Sequence, residues 1–464
     1  MLGSLIIPSR CPCAGSPSRL QHLGIHGCIP KWGNRTRSLL ILSSTFAEFL
    51  PEAFIKTSSG SPGGLRRLNI ARVFETVRNN GPITRQEIGK ISGLSKPTVN
   101  EALDILHKEE LIALGESITG VDVGRPGPKA QQIRFNKDRK KVLAIDIGGS
   151  KIRILISDLE GNLIANLTGA TPLKEGRKSI LNFIGNLVNQ TLTENNLTLI
   201  DIGSIVVGTP GTVDPKNGII TRSYNLPDWE NFSLSHELSL IFKQEVQVEN
   251  EAHLAIYGEN WRGSAKKLSN AATMSIGVGI GLGLLINGQV YRGFNGIAGE
   301  VGNLPIQLDD SSDSPMRANF EFSASAVGLE RKFEAVKSSP EAKNILNSVK
   351  NEETITAKNI YNAAMDGDKL AIKLVNEQLE LLGRGIGAIC CVTNPEVFIL
   401  AGGLAPALKQ NLDKLTEVVS RYTLIPPRIE ISELGDLATA YGALRRGIEN
   451  IDRATLISIL RESA

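Results

Sequence analysis

Cysteine is scarce in this sequence, and its scarcity argues against a protein held together by disulfide bonds. Only 5 of the 464 residues are cysteine. Three of them lie within the first 28 residues, and Cys390 and Cys391 are neighbours in an apolar run. Disulfide-rich secreted proteins instead distribute paired cysteines along a short chain. We therefore expect a protein of a reducing compartment, the cytoplasm.

Long apolar runs are also lacking. The longest one near the start, residues 39–50, is interrupted by serine, threonine and glutamate. A membrane-spanning helix needs roughly 20 predominantly apolar residues. The sequence therefore predicts no membrane anchor.

Acidic residues are absent before Glu48, where glycine, proline, serine and arginine are frequent. This composition has neither a helical nor a strand period. We expect residues 1–63 to be a disordered extension, or to result from a start site assigned too far upstream. The cysteines and histidines of this segment do not have the spacing of a usual zinc site, so no metal is predicted there.

The net charge of +3 is distributed unevenly along the chain. Residues 1–140 contain 20 lysines and arginines against 11 acidic residues, whereas the remainder contains 31 against 37. A polyanion would therefore bind at the basic N-terminal part of the chain.

The segment 64–137 has the pattern of a winged helix-turn-helix. Apolar residues at helical spacing are followed by Asn80-Gly81-Pro82, which ends the first helix. A short helix over 85–92, a tight turn at 93–95 and a helix with Pro97 near its start complete the three-helix pattern. Residues 111–114 and 131–135 are predicted to form two strands that flank a glycine-rich and basic loop.

In such a module the third helix lies in the major groove of DNA and the wing contacts the flanking backbone. The alternative is a helical bundle whose surface charges are only solvated. We predict that DNA is contacted by five residues of the third helix and its cap and by two wing residues: Ser95, Lys96, Thr98, Asn100 and Glu101, and Arg125 and Lys129.

Residues 138–450 alternate apolar strand runs with helical segments, which favours α/β layers. A first hairpin over 142–156 contains the turn Asp146-x-Gly148-Gly149. Such glycines allow backbone N–H groups to approach phosphate oxygens, and the aspartate can reach a metal-bound water. By itself this is a weak signal, because a hairpin turn alone can require glycine. Further strands are predicted over 205–208, 246–250, 276–286 and 397–401, and a C-terminal helix over 451–464.

Taken together, residues 64–450 resemble the ROK family of repressors and sugar kinases. The segment 276–300 is similar to the family signature, and the winged module is similar to the family's xylose-repressor-like regulator branch. The resemblance implies an actin-like, hexokinase-type ATPase fold of two α/β lobes around a cleft. It also implies a sugar between the lobes and a homodimer, with a tetramer as the alternative.

The resemblance assigns two sets of site residues. Positions that contact a sugar in family members correspond to Asn225, Asn250, Glu251, Glu300, Asn303 and Glu321. The nucleotide and phosphate loops correspond to Asp146, Gly148, Gly149, Ser150, Lys151, Gly402 and Gly403.

Two departures from the family pattern bear on function. Family kinases have Asn-Asp where this chain has Asn250-Glu251, and that aspartate takes the proton from the attacking sugar hydroxyl. Phosphoryl transfer depends on positioning, and about 1 Å of displacement can cost on the order of 100-fold in rate. Family kinases also have a zinc-binding histidine at the position of Asn303 and cysteines before Glu321, whereas residues 303–321 contain neither residue type here. No zinc is expected, and no catalytic residue is assigned.

From these residues we expect a cytoplasmic sugar-responsive repressor that binds operator DNA and a sugar or sugar derivative without phosphorylating it. No cofactor is required in this interpretation, and ATP with Mg²⁺ is an open alternative. The rival hypotheses are an ATP-dependent sugar kinase that has kept a DNA-binding module and a regulator that binds nucleotide but no sugar.

Overall fold

The structure is a computed structural model, and it describes residues 62–118, 130–223, 226, 228–306, 319–347 and 354–461. All of these residues belong to one structural unit. Within them, no helix is both long and apolar enough to cross a membrane.

The N-terminal part is a three-helix module with a small sheet. Its elements are α1 (Pro62–Asn80), β1 (Ile83–Thr84), α2 (Arg85–Ser92), α3 (Lys96–Lys108), β2 (Ile112–Ile118) and β3 (Ala130–Phe135). The strands pair antiparallel in the order β1-β3-β2. Phe74, Ile88, Leu103 and Ile133, one each from α1, α2, α3 and β3, are fully buried in the core of this module. The winged helix-turn-helix is confirmed.

Local signals explain the ends of its helices. Thr84 and Glu87 form a reciprocal capping box that starts α2. Gly93 ends α2 with a φ of 66°, a left-handed conformation that glycine adopts at little cost. The hydroxyl of Ser95 then caps α3 by accepting from the backbone N–H of Thr98 at 3.4 Å.

The next part of the chain builds a lobe around a five-stranded sheet. Its elements are β4 (Lys141–Ile147), β5 (Lys151–Ser157), β6 (Leu163–Ala170), α4 (Arg177–Glu194), β7 (Ile202–Thr209), β8 (Thr212–Asp214), β9 (Ile219–Arg222), β10 (Phe232–Ser233), α5 (Leu234–Phe242), β11 (Val246–Asn250) and α6 (Glu251–Arg262). The sheet order is β11-β7-β4-β5-β6, with β4, β7 and β11 parallel. Helices α4 and α5 cover one face of this sheet with apolar side chains.

The remaining elements form the second lobe and one long closing helix. They are β12 (Ala271–Ile276), β13 (Ile280–Ile286), β14 (Gln289–Val290), α7 (Phe320–Ala324), α8 (Ala326–Val336), α9 (Lys343–Asn347), α10 (Ala357–Met365), α11 (Lys369–Thr393), β15 (Val397–Ala401), α12 (Ala405–Leu408), α13 (Leu412–Ser420), β16 (Arg428–Ile431) and α14 (Ala438–Arg461). The second sheet has the order β14-β13-β12-β15-β16. Its main core lies under α7, α8, α10 and α11.

Helices α6 and α14 pack against each other and join the two lobes. Helix α14 lies on β4 and β7 of the first sheet, and α6 lies on β12 and β13 of the second. The two-lobed α/β architecture predicted from the sequence is confirmed.

Two sequence-based predictions need correction. The strand expected over 276–286 begins only at Ile280, as β13. Ile276 is the last residue of β12, and the chain reverses at 277–279, where the N–H of Gly277 donates to the carbonyl of Gly279 at 2.9 Å. The separate helix expected from residue 451 is the second half of α14. No proline interrupts the segment from Ala438 to Arg461, so the helix continues through the expected boundary.

Candidate functional site

Polar residues meet where the first sheet ends. Strands β7 and β11 are parallel, so their carboxyl ends lie at the same edge, close to the turn between β4 and β5. A cavity of about 390 Å³ lies here, lined also by residues of the turn between β12 and β13 and by α7. The cavity therefore lies between the lobes, where the family resemblance places a sugar.

Four of the predicted sugar contacts line this cavity together: Asn250, Glu251, Glu300 and Glu321. Asn303 does not line it and is an exposed residue at the end of a 3₁₀ turn over Val301–Asn303, so the structure does not bring this predicted residue to the cavity. Asn225 lies outside the described residues.

Asn250 holds the floor of the cavity in place. Its side-chain oxygen accepts from the backbone N–H groups of Ala252 at 2.8 Å and His253 at 3.2 Å, which caps α6. Its side-chain amide donates to the carbonyl of Gly211 at 2.8 Å. The side-chain oxygen thus uses both of its acceptor positions to cap the helix, and one hydrogen of the side-chain amide stays available to a ligand.

Glu251 is the first residue of α6 and carries a strongly perturbed carboxyl group. Burial, followed by the nearby charges of Asp146 and Glu300, raises its pKa to about 8. Asp146 on β4 is perturbed in the same direction, because burial raises its pKa to about 6 although Arg153 and Lys151 oppose the shift. At neutral pH Glu251 is therefore mostly protonated, and it can donate a hydrogen bond to a ligand oxygen.

Two further carboxyl groups face Glu251 from the second lobe. Glu321 on α7 accepts from the backbone N–H of Ile280 at 2.9 Å, which ties α7 to the start of β13. Burial and the charge of Glu321 raise the pKa of Glu300. Carboxyl and amide groups that converge on one cavity are the usual partners of sugar hydroxyl groups, since each can accept or donate.

The segment that carries Glu300 is anchored by contacts that the sequence did not predict. The guanidinium of Arg292 pairs with buried Glu249 at the end of β11, with Nη2 to Oε2 at 3.0 Å. His253 on α6, also buried, contacts the carbonyl of Ala298 through Nε2 at 3.0 Å. Local sequence patterns do not reveal these contacts, because the partners are more than 40 residues apart.

The predicted nucleotide residues are only partly brought to the cavity. Gly149 and Ser150 line it, whereas Asp146, Gly148, Lys151, Gly402 and Gly403 do not. Gly402 has a φ of 86°, and a side chain there would meet the carbonyl oxygen of Ile276 at 2.6 Å, so the fold requires glycine at this position.

Lys151 has an intramolecular partner that the sequence did not predict. Both Lys151 and Arg153 form ion pairs with Asp436, and the distance from Arg153 Nη2 to the Asp436 carboxylate is 2.9 Å. These pairs lower the pKa of Asp436 to about 2, with the hydrogen bond from Arg153 as the largest cause. Asp436 lies immediately before α14, so this helix begins at the phosphate-loop hairpin.

The predicted DNA-contacting residues lie in the first half of α3 and at its cap. Lys96 is exposed, and Ser95 and Thr98 share a hydrogen bond of 2.8 Å between their hydroxyl groups. Glu101 is exposed and pairs with Arg66 of α1 at 2.7 Å, while Asn100 is partly buried. Arg125 and Lys129 of the wing lie outside the described residues.

Among the described residues, no group of three or more histidine, cysteine, aspartate or glutamate side chains is arranged to hold a metal ion. Asn303, at the position of the family's zinc-binding histidine, is described, whereas residues 307–318, most of the stretch in which the family's zinc-binding cysteines would lie, are outside the described residues.

A two-lobed α/β fold with a polar interlobe cavity, preceded by a winged module, defines a class of protein. A model of the ROK family matches residues 142–445, and a model of winged helix-turn-helix DNA-binding domains matches residues 70–113. The chain belongs to the ROK family.

Similar proteins include regulators and kinases. The "Xylose repressor" of Caldicellulosiruptor bescii is 28% identical over 395 residues, covering 83% of this chain and 97% of that protein. The "Xylose repressor" of Bacillus subtilis is 27% identical over 394 residues, covering 82% of this chain and 94% of that protein. The "Glucokinase" of Thermotoga maritima is 26% identical over 289 residues, covering 61% and 88% respectively.

Solved structures agree on the fold. A ROK family transcriptional regulator, described as a homologue of the E. coli MLC protein, has a TM-score of 0.69 at 20% identity and covers 86% of this chain and 100% of its own. A ROK family glucokinase from Streptomyces griseus, in complex with glucose and AMPPNP, has a TM-score of 0.58 at 25% identity and covers 66% and 98%.

Proposed function

We propose that this protein is a sugar-responsive, DNA-binding transcriptional regulator, a repressor, whose kinase-like domain binds a sugar without phosphorylating it. The observation that carries the proposal is the presence in one chain of a winged helix-turn-helix and an interlobe cavity of acidic and amide groups. Relatives named xylose repressors align with both parts, since they cover more than four fifths of the chain.

The DNA-binding role is supported by the arrangement of α3. Its first turn places Lys96 on the surface, and α1 and α2 pack behind it, as expected of a helix that enters the major groove. A repressor dimer would present two such helices to a two-fold symmetric operator in the cytoplasm.

The environment and position of Glu251 support the proposal that the protein binds its sugar without phosphorylating it. A general base must be ionised to accept the proton of the attacking hydroxyl, and a carboxyl with a pKa of about 8 is mostly protonated at pH 7. The longer side chain of glutamate also displaces the acid from the aspartate position of family kinases. The same protonated carboxyl still makes a hydrogen bond to a sugar hydroxyl.

Operator binding titrated against a sugar panel tests the proposal. DNA from the protein's own upstream region is bound first, and D-xylose, D-glucose and other monosaccharides are then added. D-xylose leads the panel because of the relatives' name. We expect one sugar to change operator affinity at least 5-fold, within the usual range of allosteric coupling. Unchanged affinity across the panel, with sugar binding absent by calorimetry, would reject a sugar-responsive regulator.

The second candidate is an ATP-dependent sugar kinase that kept its DNA module. It is favoured by the retained Asp146 hairpin and by the glucokinases among the relatives. In this reading the backbone of Gly149 and Ser150 would hold the phosphates of ATP, which with Mg²⁺ would supply the transferable phosphoryl group. Incubation with MgATP and each sugar separates the two candidates. We expect no sugar phosphate from the wild-type protein, and formation of product by Glu251→Asp would attribute the loss to this side chain.

A further inference from the structure

We infer that sugar binding changes DNA binding through helix α14. The ion pair between Arg78 and Asp452, here called the joint, connects this helix to the DNA-binding module. The inference rests on the proposed function and specifies how its two sites are coupled. It assigns positioning roles to two residues that contact neither ligand.

Helix α14 begins at the cavity. Asp436, just before its first turn, is held by Lys151 and Arg153 of the hairpin that follows the phosphate turn. In the first turn, the hydroxyl of Thr439 donates to the backbone carbonyl of Glu251 at 3.3 Å. A movement of Glu251 on ligand binding would therefore displace the first turn of α14.

The middle of α14 cannot move independently of the cavity wall. Its Gly442 lies so close to α6 that a methyl group there would overlap the carbonyl of Leu254. One and a half turns later, a methyl group at Gly447 would overlap the side chain of Val142 on β4. Helices in such close contact transmit displacement, because a packed core is nearly incompressible.

The far part of α14 meets the DNA-binding module. Asp452 lies 13 residues after Thr439, about 20 Å along the helix at 1.5 Å per residue. Arg78 of α1 directs its Nε at both carboxylate oxygens of Asp452, at 3.1 and 3.2 Å. The two side chains are only 14% and 12% exposed, so water competes little for either charge.

Arg78 makes two further contacts that fix its direction. Its Nη2 donates to the carbonyl of Leu159, in the turn between β5 and β6, at 2.8 Å. Its guanidinium lies over the ring of Phe135, 4.4 Å from the centroid. One side chain of the winged module therefore contacts α14, the first sheet's hairpin and the end of β3.

A second, parallel contact holds the connecting segment. The N–H of Leu159 donates to the carbonyl of Lys137 at 3.0 Å, and the ammonium of Lys137 pairs with Asp158 at 2.9 Å. These contacts keep the hairpin turn beside the linker after β3. They also explain how the modules can stay attached when the Arg78–Asp452 pair is broken.

The test compares coupling in wild type with coupling in Asp452→Asn and in Arg78→Gln, each of which removes one charge. Asp452→Asn keeps the side-chain size, whereas Arg78→Gln shortens the side chain and also removes the contacts with Leu159 and Phe135. Operator affinity is measured with and without D-xylose and, in parallel, D-glucose. Sugar affinity of the free protein is measured by calorimetry. We expect both variants to bind sugar within about 2-fold of wild type and to lose most of the sugar-dependent change in operator affinity.

The matched control is Glu380→Gln. Glu380 also pairs with arginines, Arg384 and Arg421, but all three residues lie in the second lobe. This control should keep the wild-type coupling factor. Arg78→Gln also provides the test if Asp452→Asn fails to fold, because Arg78 lies at the contact between the winged module and α14 and is not among the residues of the apolar core.

The outcomes distinguish the proposed function from the route through Arg78 and Asp452. Wild-type protein whose operator affinity ignores every sugar overturns the proposed function and this route with it. Folded variants that keep the full wild-type coupling factor overturn the route through Arg78 and Asp452 alone. Loss of coupling in the variants and in Glu380→Gln alike would also overturn it, because the effect would then not be specific to the joint.

Discussion

Glu251 is the residue at which the environment alters chemistry most clearly. Its pKa of about 8 lies far above the ordinary glutamate value of 4.5. The folded protein therefore holds a proton that the unfolded chain releases, and stability falls as pH rises from about 4.5 through 8.

The first prediction follows from this loss of stability with rising pH. Glu251→Gln removes the titration, so the variant should match wild type near pH 4, below the unfolded pKa, and exceed it at pH 8.5 by on the order of 1–3 kcal/mol in free energy of unfolding. Urea denaturation at both pH values measures the difference. Glu245→Gln, an exposed surface change, serves as the control. An equal effect of Glu251→Gln at both pH values would show that the carboxyl does not carry the shift.

Asp436 supports a second prediction at this scale. It pairs with Lys151 and Arg153, the cations of the hairpin beside the phosphate turn, and these pairs lower its pKa to about 2. Asp436→Asn should free Lys151 and Arg153. If these cations meet the phosphates of a nucleotide, as in the kinase candidate, MgATP should bind about 10-fold tighter to this variant than to wild type, a modest fraction of a partly screened charge interaction. Calorimetry measures this, with Asp413→Asn on α13 as the surface control. Unchanged affinity would mean that Lys151 does not meet phosphate.

At the scale of elements, substitutions in α3 and in the wing should have different effects on DNA binding. Asn100→Ala should cost about 1–3 kcal/mol at particular operator positions, because a lost base contact is sequence-specific. Lys129→Ala should weaken binding to all DNA sequences alike, because a lost phosphate contact is not. Binding to an operator library measures both, and Glu109→Ala at the end of α3 is the control. If neither Asn100→Ala nor Lys129→Ala changes operator affinity, the predicted docking is wrong.

The contact between α6 and α14 gives another element-scale prediction. Gly442→Ala forces a methyl group against the Leu254 carbonyl and should destabilise the protein by about 1–3 kcal/mol, despite the better helix propensity of alanine. Gly89→Ala in α2, where the nearest atom would be 3.6 Å away, should be neutral or stabilising. Thermal unfolding measures the melting temperatures of the two variants. Equal shifts in the two melting temperatures would contradict this explanation.

Elements whose ends depend on neighbouring residues were predictable from the sequence. Helix α2 begins and ends at the expected residues because its capping box and Gly93 are local signals. The turn at 277–279 was not predictable, because alternate glycines fit a strand as well as a reversal. The absence of proline allows α14 to continue past residue 450, but its packing against α6 and β4, which the local sequence does not show, accompanies its full length.

The candidate site divides in the same way. Asn250 and Glu251 follow a recognisable strand and lie in the cavity as expected. The partners that fix the site, such as Asp436 for Lys151 and Glu249 for Arg292, are distant in sequence and become visible only in three dimensions.

At the scale of the whole molecule, the two binding equilibria must be linked. If sugar weakens operator binding by a given factor, operator must weaken sugar binding by the same factor. Sugar titrations by calorimetry, with and without saturating operator DNA, measure this. A non-cognate duplex of equal length is the control for charge effects, since its binding depends on salt rather than on sequence. Equal sugar affinity with and without operator would remove the case for induction.

Asn250 has a consequence for how this regulator could be retuned to another inducer. Its side chain caps α6 and also donates to the carbonyl of Gly211. Replacing it would therefore destabilise the helix that carries Glu251 rather than selectively change the preference among sugars. Glu321 ties α7 to Ile280 in the same way, so discrimination among stereoisomers must then evolve, or be engineered, at Glu300. A library randomised at Glu300, with Asn250 and Glu321 kept, would be the economical starting point for a biosensor of new specificity.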